Sequence, residues 1–395
     1  MSKFLFVSSY DLRRNTSGNI RVVSLMKGLH DNGHVVHCLF IPTSHESDKE
    51  IYTTLIGIDK LITYPKIELT CNQPINKEGA RKKKTFKEKI QSFLIHTYMR
   101  LTVYDVFENS FRRLSEQNLQ ELDDEYDYIV SSAEPRSSHK LAKKVIRLKG
   151  YQAKWIQYWG DPMSNDVAST KIFKGREAKE ERRLIALSDY SIYTNPCAAS
   201  YMKEKYPELS EKINWIPTSD VKNAQVETYR GDTNKIGYFG DYRSAYRNLE
   251  PFYQACLENG FDATIIGDAD KQLDPSETIK VYGRMTRAAV NKYEHDCGIL
   301  IVLENISKTG VCIQVPGKLY HYGLTNKYIL VITESNNIAA EYEKFNRYIF
   351  VPNDKEKIVS AIKGIQEGKY ESLNISPVDS FKRERIGADF INIIQ

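Results

Sequence analysis

Hydrophobic positions along the chain alternate between short unbroken runs and stretches with helical spacing. KFLFVSS (3–9) is an apolar run of strand length. In 17–34, Ile20, Val23, Leu25, Met26 and Leu29 recur three and four residues apart, the period of a helix face, and Asn32-Gly33 supplies a stop. VVHCLFI (35–41) is the next run. Strand, helix and strand in that order form a βαβ unit, whose crossover leaves the strands parallel. The alternation returns after an interruption, with strands at 126–132, 154–160, 190–195 and 213–218 and helices at 137–150 and 176–189.

Residues 220–235 are polar and lack an apolar period, so they read as a linker. A second series follows. Strands are predicted at 235–241, 262–268, 278–283, 297–303, 325–332 and 347–352, and helices at 247–260, 286–296, from Pro316, and at 354–368. The pattern predicts an α/β protein of two Rossmann-like parallel-sheet domains facing a cleft. The domains are 1–225, with a basic helical insertion near 79–120, and 232–378; a last helix, 379–395, is expected to pack back on the first domain.

Composition agrees with two soluble cores: 395 residues, 41% hydrophobic and 27% charged. A net charge of +5 is well short of a typical nucleic-acid binder. The six cysteines form no CxxC or CxxH cluster, so neither a zinc site nor a disulfide framework is indicated, and scattered thiols favour a cytoplasmic chain. The apolar run in MSKFLFVSSYDLRR (1–14) is too short for a signal peptide or a membrane span.

The most informative stretch is VPGKLYHYGL (315–324). Proline suits a first helical position, and glycine lets a ligand approach the backbone. Lys318 adds charge beside the free N–H groups, which reads as a diphosphate cradle. One turn on, His321 lies beside Gly317 and Lys318, within reach of a ribose or sugar hydroxyl. A plainly capped helix with a solvated lysine meets the same local pattern.

Three segments in order resemble the family-four-like group of GT-B glycosyltransferases. They are VPGKLYHYGLTNKYILVI (315–332), YIVSSAEPRSSHKLAKKVIRLKGYQAKWIQYWGDPM (128–163) and KIGYFGDYRSAYRNLEPFYQA (235–255). The group's forms are P-x-K-L-[FY]-E-Y, S-S-x-P-P-x-S-x-H with W-[IV]-x-D-x-x-D-P-W, and a strand, glycine loop and R-N. The resemblance covers nearly the whole chain except roughly 45–125. It implies a nucleotide-sugar donor held by the second domain, an acceptor held by the first, no metal and retention of configuration. It places Arg243, Arg247 and Lys318 at the donor phosphates and Gly283 and Arg284 at the base. Gly18 falls in the loop near phosphate and acceptor. His139 aligns with a cleft histidine able to polarise a hydroxyl. Asp161 is expected to orient the acceptor or act as a base, with Glu134 a lesser candidate. The group's paired glutamates are missing: their positions hold Ile313 and His321. Glu304 opens the same loop too early to match, and is kept as a donor-site candidate.

The interruption holds GARKKKTFKEKIQSFLIHTYMRL (79–101). Phe86, Ile90, Phe93, Leu94, Thr97 and Leu101 fall near one helical face, and six Lys and Arg crowd its start. Such a helix suits an anionic membrane surface through 80–101, and so a peripheral place on the inner face of a membrane; a helix covering the sheet with a solvated basic end meets the same pattern. No aromatic platform accompanies the run, which argues against nucleic acid. The expected function is transfer of a sugar to a glycan or lipid-linked acceptor, as in bacterial surface polysaccharide synthesis. A nucleotide-sugar epimerase and a non-catalytic nucleotide-sugar-binding subunit of a glycan synthase are the alternatives.

Overall fold

A computed structural model of the chain describes residues 1–43, 47–70, 86–165, 172–221, 229–243, 245–306, 313–335 and 337–395. The basic residues 81–84, residues 222–228 of the expected linker and residues 307–312 of the donor loop lie outside these. Contacts divide the chain into two compact units. Unit 1 is Met1–Lys222 with Arg383–Gln395, and unit 2 is Asn223–Lys382.

Unit 1 opens with β1 (Lys3–Ser8), α1 (Ser17–Asp31) and β2 (Val35–Phe40). Thr16 caps α1 by accepting the Asn19 N–H at 3.2 Å, which supplies one of the bonds a helix start lacks. Then come α2 (Lys49–Leu55), β3 (Lys60–Thr63) and α3 (Phe86–Leu101). β4 (Tyr128–Ser132), α4 (Ser137–Lys149), β5 (Lys154–Trp159), α5 (Lys174–Leu187), β6 (Tyr190–Tyr193), α6 (Pro196–Lys205) and β7 (Ile213–Trp215) complete it. Gly150 ends α4 with φ of 67°, a conformation that favours glycine. The strands form one parallel sheet in the order β3-β2-β1-β4-β5-β6-β7.

Unit 2 runs β8 (Asp232–Phe239), α7 (Glu250–Asn259), β9 (Asp262–Ile266), β10 (Ile279–Tyr282), α8 (Arg287–Asp296) and β11 (Cys297–Leu303). It continues with α9 (Gly317–Gly323), β12 (Tyr328–Thr333), α10 (Asn337–Tyr342), β13 (Ile349–Pro352) and α11 (Lys355–Gln366). Its parallel sheet has the order β10-β9-β8-β11-β12-β13. β11 is buried along its whole length, which is why CGILIVL reads as a continuous apolar run rather than an alternation.

In unit 1 alternate residues of β1 serve two cores. Leu5 and Val7 pack towards Leu141 and Val145 of α4, and Phe4 and Phe6 towards α1 and the last helix, α12 (Arg383–Ile394). Phe390 and Ile394 of α12 are fully buried, each such side chain contributing about 2 kcal/mol by transfer from water. α12 meets α1 at paired glycines: a Cβ at Gly387 would lie 2.6 Å from the Gly28 carbonyl carbon. Arg383 donates to Asp31 Oδ2 at 2.8 Å beside this crossing, and Asn32 Nδ2 to the Glu384 carbonyl at 2.8 Å.

Each sheet winds outwards in both directions from a central pair, β1 with β4 and β8 with β11. Loops leaving such a pair diverge, so the carboxyl edge there is where α/β sheets hold ligands.

Candidate functional site

In unit 2, β8 ends at Phe239 and the chain turns through Gly240 and Asp241. The loop after β9 closes on this turn. A Cβ at Gly267 would lie 2.5 Å from the Gly240 carbonyl carbon, so the contact requires a bare backbone. The Asp268 N–H donates to Asp241 Oδ1 at 3.0 Å, and the Tyr242 N–H to the Asp268 carbonyl at 3.0 Å. Arg284, in the loop after β10, pairs with Asp241 Oδ2.

Arg247 ties the two central loops together. Its Nη1 donates to the Asp241 carbonyl at 2.8 Å, and its Nε to Asn305 Oδ1, beyond β11, at 2.9 Å. The Ile306 N–H reinforces this junction by donating to the Tyr246 carbonyl at 2.8 Å. Lys318, on α9, lays its stem beside Gly240, where a Cβ would meet Lys318 Cε at 3.4 Å. Its ammonium sits 5.3 Å from the centre of the Tyr322 ring.

Arg247, Arg284 and Lys318 therefore collect around Gly240 and Asp241, at the centre of the carboxyl edge. Three cations about one carboxylate favour an anion, and guanidinium suits phosphate through its planar fork. Arg243 is exposed on the same loop, and its carbonyl accepts the Arg247 N–H at 2.9 Å. Gly283 is exposed beside Arg284. A Cβ at Gly317 would meet nothing within 4 Å, so space is open there. Pro316, expected as the first helical residue, is instead the N-cap of α9, with φ of −58° and ψ of 127°. α9 has only seven residues, so side-chain charge rather than a helix dipole dominates this edge. His321 lies half-buried in the last turn of α9.

Glu304 differs from its expected place at the donor. It is fully buried at the end of β11, and its Oε2 accepts the Glu334 N–H at 2.7 Å and the Ser335 N–H at 3.0 Å. Its Oε1 accepts from the Ser335 hydroxyl at 2.6 Å. Both oxygens hold the loop after β12, since an unpaired carboxylate at that depth would be costly.

In unit 1, Glu134 lies against Gly18 at the carboxyl edge beside the central pair. Arg21, one turn into α1, joins them: its Nη2 donates to Glu134 Oε1 at 2.5 Å, and Asp161 acts on its charge. His139 lies elsewhere. It is fully buried on α4, with its ring 4.5 Å from that of Trp159. Trp155 Nε1 donates to Ser131 Oγ at 2.8 Å, and the same hydroxyl is hydrogen-bonded to His139 Nδ1 at 2.8 Å. Burial pushes the imidazole down to about 3, and it is neutral at ordinary pH. The ring braces the core beneath β4 and β5 and does not open to solvent, in contrast to the cleft position expected of it.

Three members of these clusters escape sequence reading: Asp241, Asn305 and Arg21. Arg21 carries a faint signal, as a cation among the apolar residues of α1, and it is buried.

No family model matches the chain, and no curated protein matches it by sequence. Solved structures resemble it throughout. Anabaena HepE in complex with UDP and glucose superimposes with a TM-score of 0.60 at 11% identity, over 99% of this chain and 99% of that one. Sucrose-phosphate synthase from Thermosynechococcus elongatus gives 0.55 at 12% identity over 99% and 96% of the two chains. UDP-GlcNAc 2-epimerase from Neisseria meningitidis bound to UDP-GlcNAc gives 0.51 at 11% identity over 99% of each. At such identities the likeness is one of fold. With the two all-parallel sheets it gives the chain the GT-B fold.

Proposed function

We propose that this chain is a glycosyltransferase of the family-four-like group, which moves a sugar from a nucleoside diphosphate donor to a glycan or lipid-linked acceptor. The observation that carries this is Arg247 bridging the loops after β8 and β11, with Lys318 and Arg284 beside it. Neutral acceptors hold Arg247 on both sides, so its charge remains for a diphosphate. As the bond from the anomeric carbon to the diphosphate breaks, negative charge grows on the leaving oxygens. Fixed cations stabilise that charge more than the ground state. Arg243 adds to the field, Gly283 and Gly317 leave room for the nucleotide, and His321 meets a hydroxyl. In unit 1, Asp161 orients the acceptor. The fold neighbours that hold UDP support the donor class, and UDP is the first nucleotide to try.

We also propose a membrane-bound acceptor, in keeping with surface polysaccharide synthesis. Phe93 and Leu94 of α3 are 68% and 60% exposed, and Ile90, Ile95 and Leu101 are exposed too. The Ile172 N–H donates to the Arg100 carbonyl at 3.1 Å, which brings the exposed Ile172 and Phe173 against the end of α3. Exposed Arg100, Lys174 and Arg176 border this apolar face, and six further basic residues occupy 81–89 in the sequence. Apolar side chains framed by cations suit an anionic bilayer surface. Among the described residues no helix is long and apolar enough to cross a membrane.

One observation favours the epimerase reading: Glu134 and Asp161 flank Arg21, and epimerisation needs paired acid and base groups. Incubation with labelled nucleoside diphosphate sugars, with and without bacterial membrane extract, separates the readings. Extract-dependent transfer supports the transferase. An isomerised donor supports the epimerase, and binding without turnover supports a non-catalytic subunit.

A further inference from the structure

We infer that Glu134, held by Arg21, is the residue of unit 1 that seats the acceptor, by accepting a hydrogen bond from a sugar hydroxyl. The inference rests on the transferase reading and names a chemistry for its second substrate.

Glu134 stands where the resembled pattern S-S-x-P-P has its first proline, so the carboxylate belongs to this chain rather than to the pattern. It leaves the carboxyl end of β4, one half of the central pair of the first sheet. The carboxylate lies over two glycines from neighbouring segments. A Cβ at Gly18, where α1 starts, would come within 2.6 Å of Glu134 Oε2. A Cβ at Gly160, beyond β5, would overlap Glu134 Oε1 and the Arg21 guanidinium. Both segments are bare backbone where the pair sits.

The pair is half in and half out. The Arg21 side chain is 10% exposed and that of Glu134 39%. Arg21 anchors Oε1 at 2.5 Å from beneath, and Oε2 accepts no hydrogen bond from the described residues. The anchor fixes the carboxylate and lowers the entropy lost when a ligand binds it. An ionised carboxylate only accepts hydrogen bonds, so its partner must donate. Arg21 already faces two carboxylates, Glu134 and Asp161. A third anion gains little from it, whereas a neutral sugar offers several hydroxyl donors. The predicted ligand class is a neutral, hydroxyl-rich glycoside.

The test uses the full chain and a panel of neutral methyl glycosides, with binding read by saturation-transfer NMR and UDP affinity by calorimetry. The wild type should bind at least one glycoside. Glu134→Gln should weaken that binding about tenfold or more, the size of a lost charge-assisted hydrogen bond. Gly18→Ala should weaken it similarly with every charge intact, because the new methyl displaces Oε2. UDP affinity should be unchanged in Glu134→Gln, which shows that the variant is folded. Glycoside binding that survives both substitutions, or a wild type that binds none of the panel, overturns the inference. If UDP binds while the glycosides ignore Glu134, the acceptor subsite falls and the transferase reading stands. If glycosides bind through Glu134 and no nucleotide binds, the transferase reading falls and the subsite stands.

Discussion

Arg247 and Asn305 join the two loops that part at the centre of the second sheet, with Nε donating to Oδ1 at 2.9 Å. The first sheet has a counterpart in Arg21, which joins the start of α1 to the loop after β4 through Glu134. The two differ in what they bond. Arg21 meets a carboxylate, so its charge is answered within the protein. Arg247 meets an amide oxygen and a backbone carbonyl, which orient the guanidinium without cancelling it. In the proposed reading, the first arrangement fixes a hydrogen-bond acceptor for a neutral acceptor sugar, and the second presents a cation to the donor diphosphate.

Asp161 acts on the charge of Arg21 at the edge proposed for the acceptor, in unit 1, whereas the proposed nucleotide site is in unit 2. Asp161→Asn is expected to leave UDP affinity unchanged and lower transfer by at least about tenfold, the smaller end of what a positioned acid or base contributes. Calorimetry and a transfer assay on the same preparation check this, and unaltered turnover removes Asp161 from the mechanism.

The close crossing of α1 and α12 depends on glycine. Gly28→Ala puts a methyl into the Arg383 carbonyl, which backbone cannot easily yield. Overpacking of this kind costs about 2 kcal/mol, so the denaturant midpoint should drop. Gly33→Ala would be a poor control because φ there is 81°, whereas Gly175 has open space around it and should tolerate alanine.

His139 makes stability depend on pH. Its folded value, near 3, is depressed below the ordinary 6.5. Above the ordinary value both states carry it neutral. Below it, only the unfolded chain takes up the proton. Stability is therefore lost as pH falls from 6.5 towards 3, by about 1.4 kcal/mol per unit from this residue. His139→Phe should flatten the slope of unfolding free energy between about pH 6 and 4, whatever constant offset follows from losing the Ser131 bond. Equal slopes in the two proteins would contradict the neutral, buried assignment.

The periodicity was enough to read both parallel sheets, because buried strands such as β11 and β12 are continuous apolar runs and their crossover helices repeat at helical spacing. Short elements were not legible. α2 has seven residues and β3 four, too few to establish a period. α6 was missed although Asn195 and Pro196 are a capping residue and a first-turn proline, and its apolar face is broken by small residues. Of the candidate residues, Lys318 is legible from the Pro316-Gly317 helix start and Asp161 from its place at a strand end, whereas Arg247 rests on the family resemblance. Nothing local distinguishes a carboxylate that turns inwards, as Glu304 does, from one that meets a ligand. Pairs such as Arg21 and Glu134, 113 residues apart, become visible only when the sheet brings them together.

The apolar face of α3 should respond to charge. Phe93→Glu combined with Leu94→Glu is expected to abolish co-sedimentation with phosphatidylglycerol-containing vesicles, without change in UDP affinity, since both side chains are exposed. The wild type should bind these vesicles and not pure phosphatidylcholine ones. Equal sedimentation of wild type and variant would exclude this face as the docking surface.

The cations around Gly240 carry the proposed diphosphate site. Titration of UDP by calorimetry into the wild type, Arg247→Ala and Lys318→Ala tests it most directly. Each substitution should weaken binding about tenfold or more, equivalent to roughly 1.4 kcal/mol, while the thermal midpoint stays near that of the wild type. Unchanged affinity in both variants would show that the diphosphate is held elsewhere.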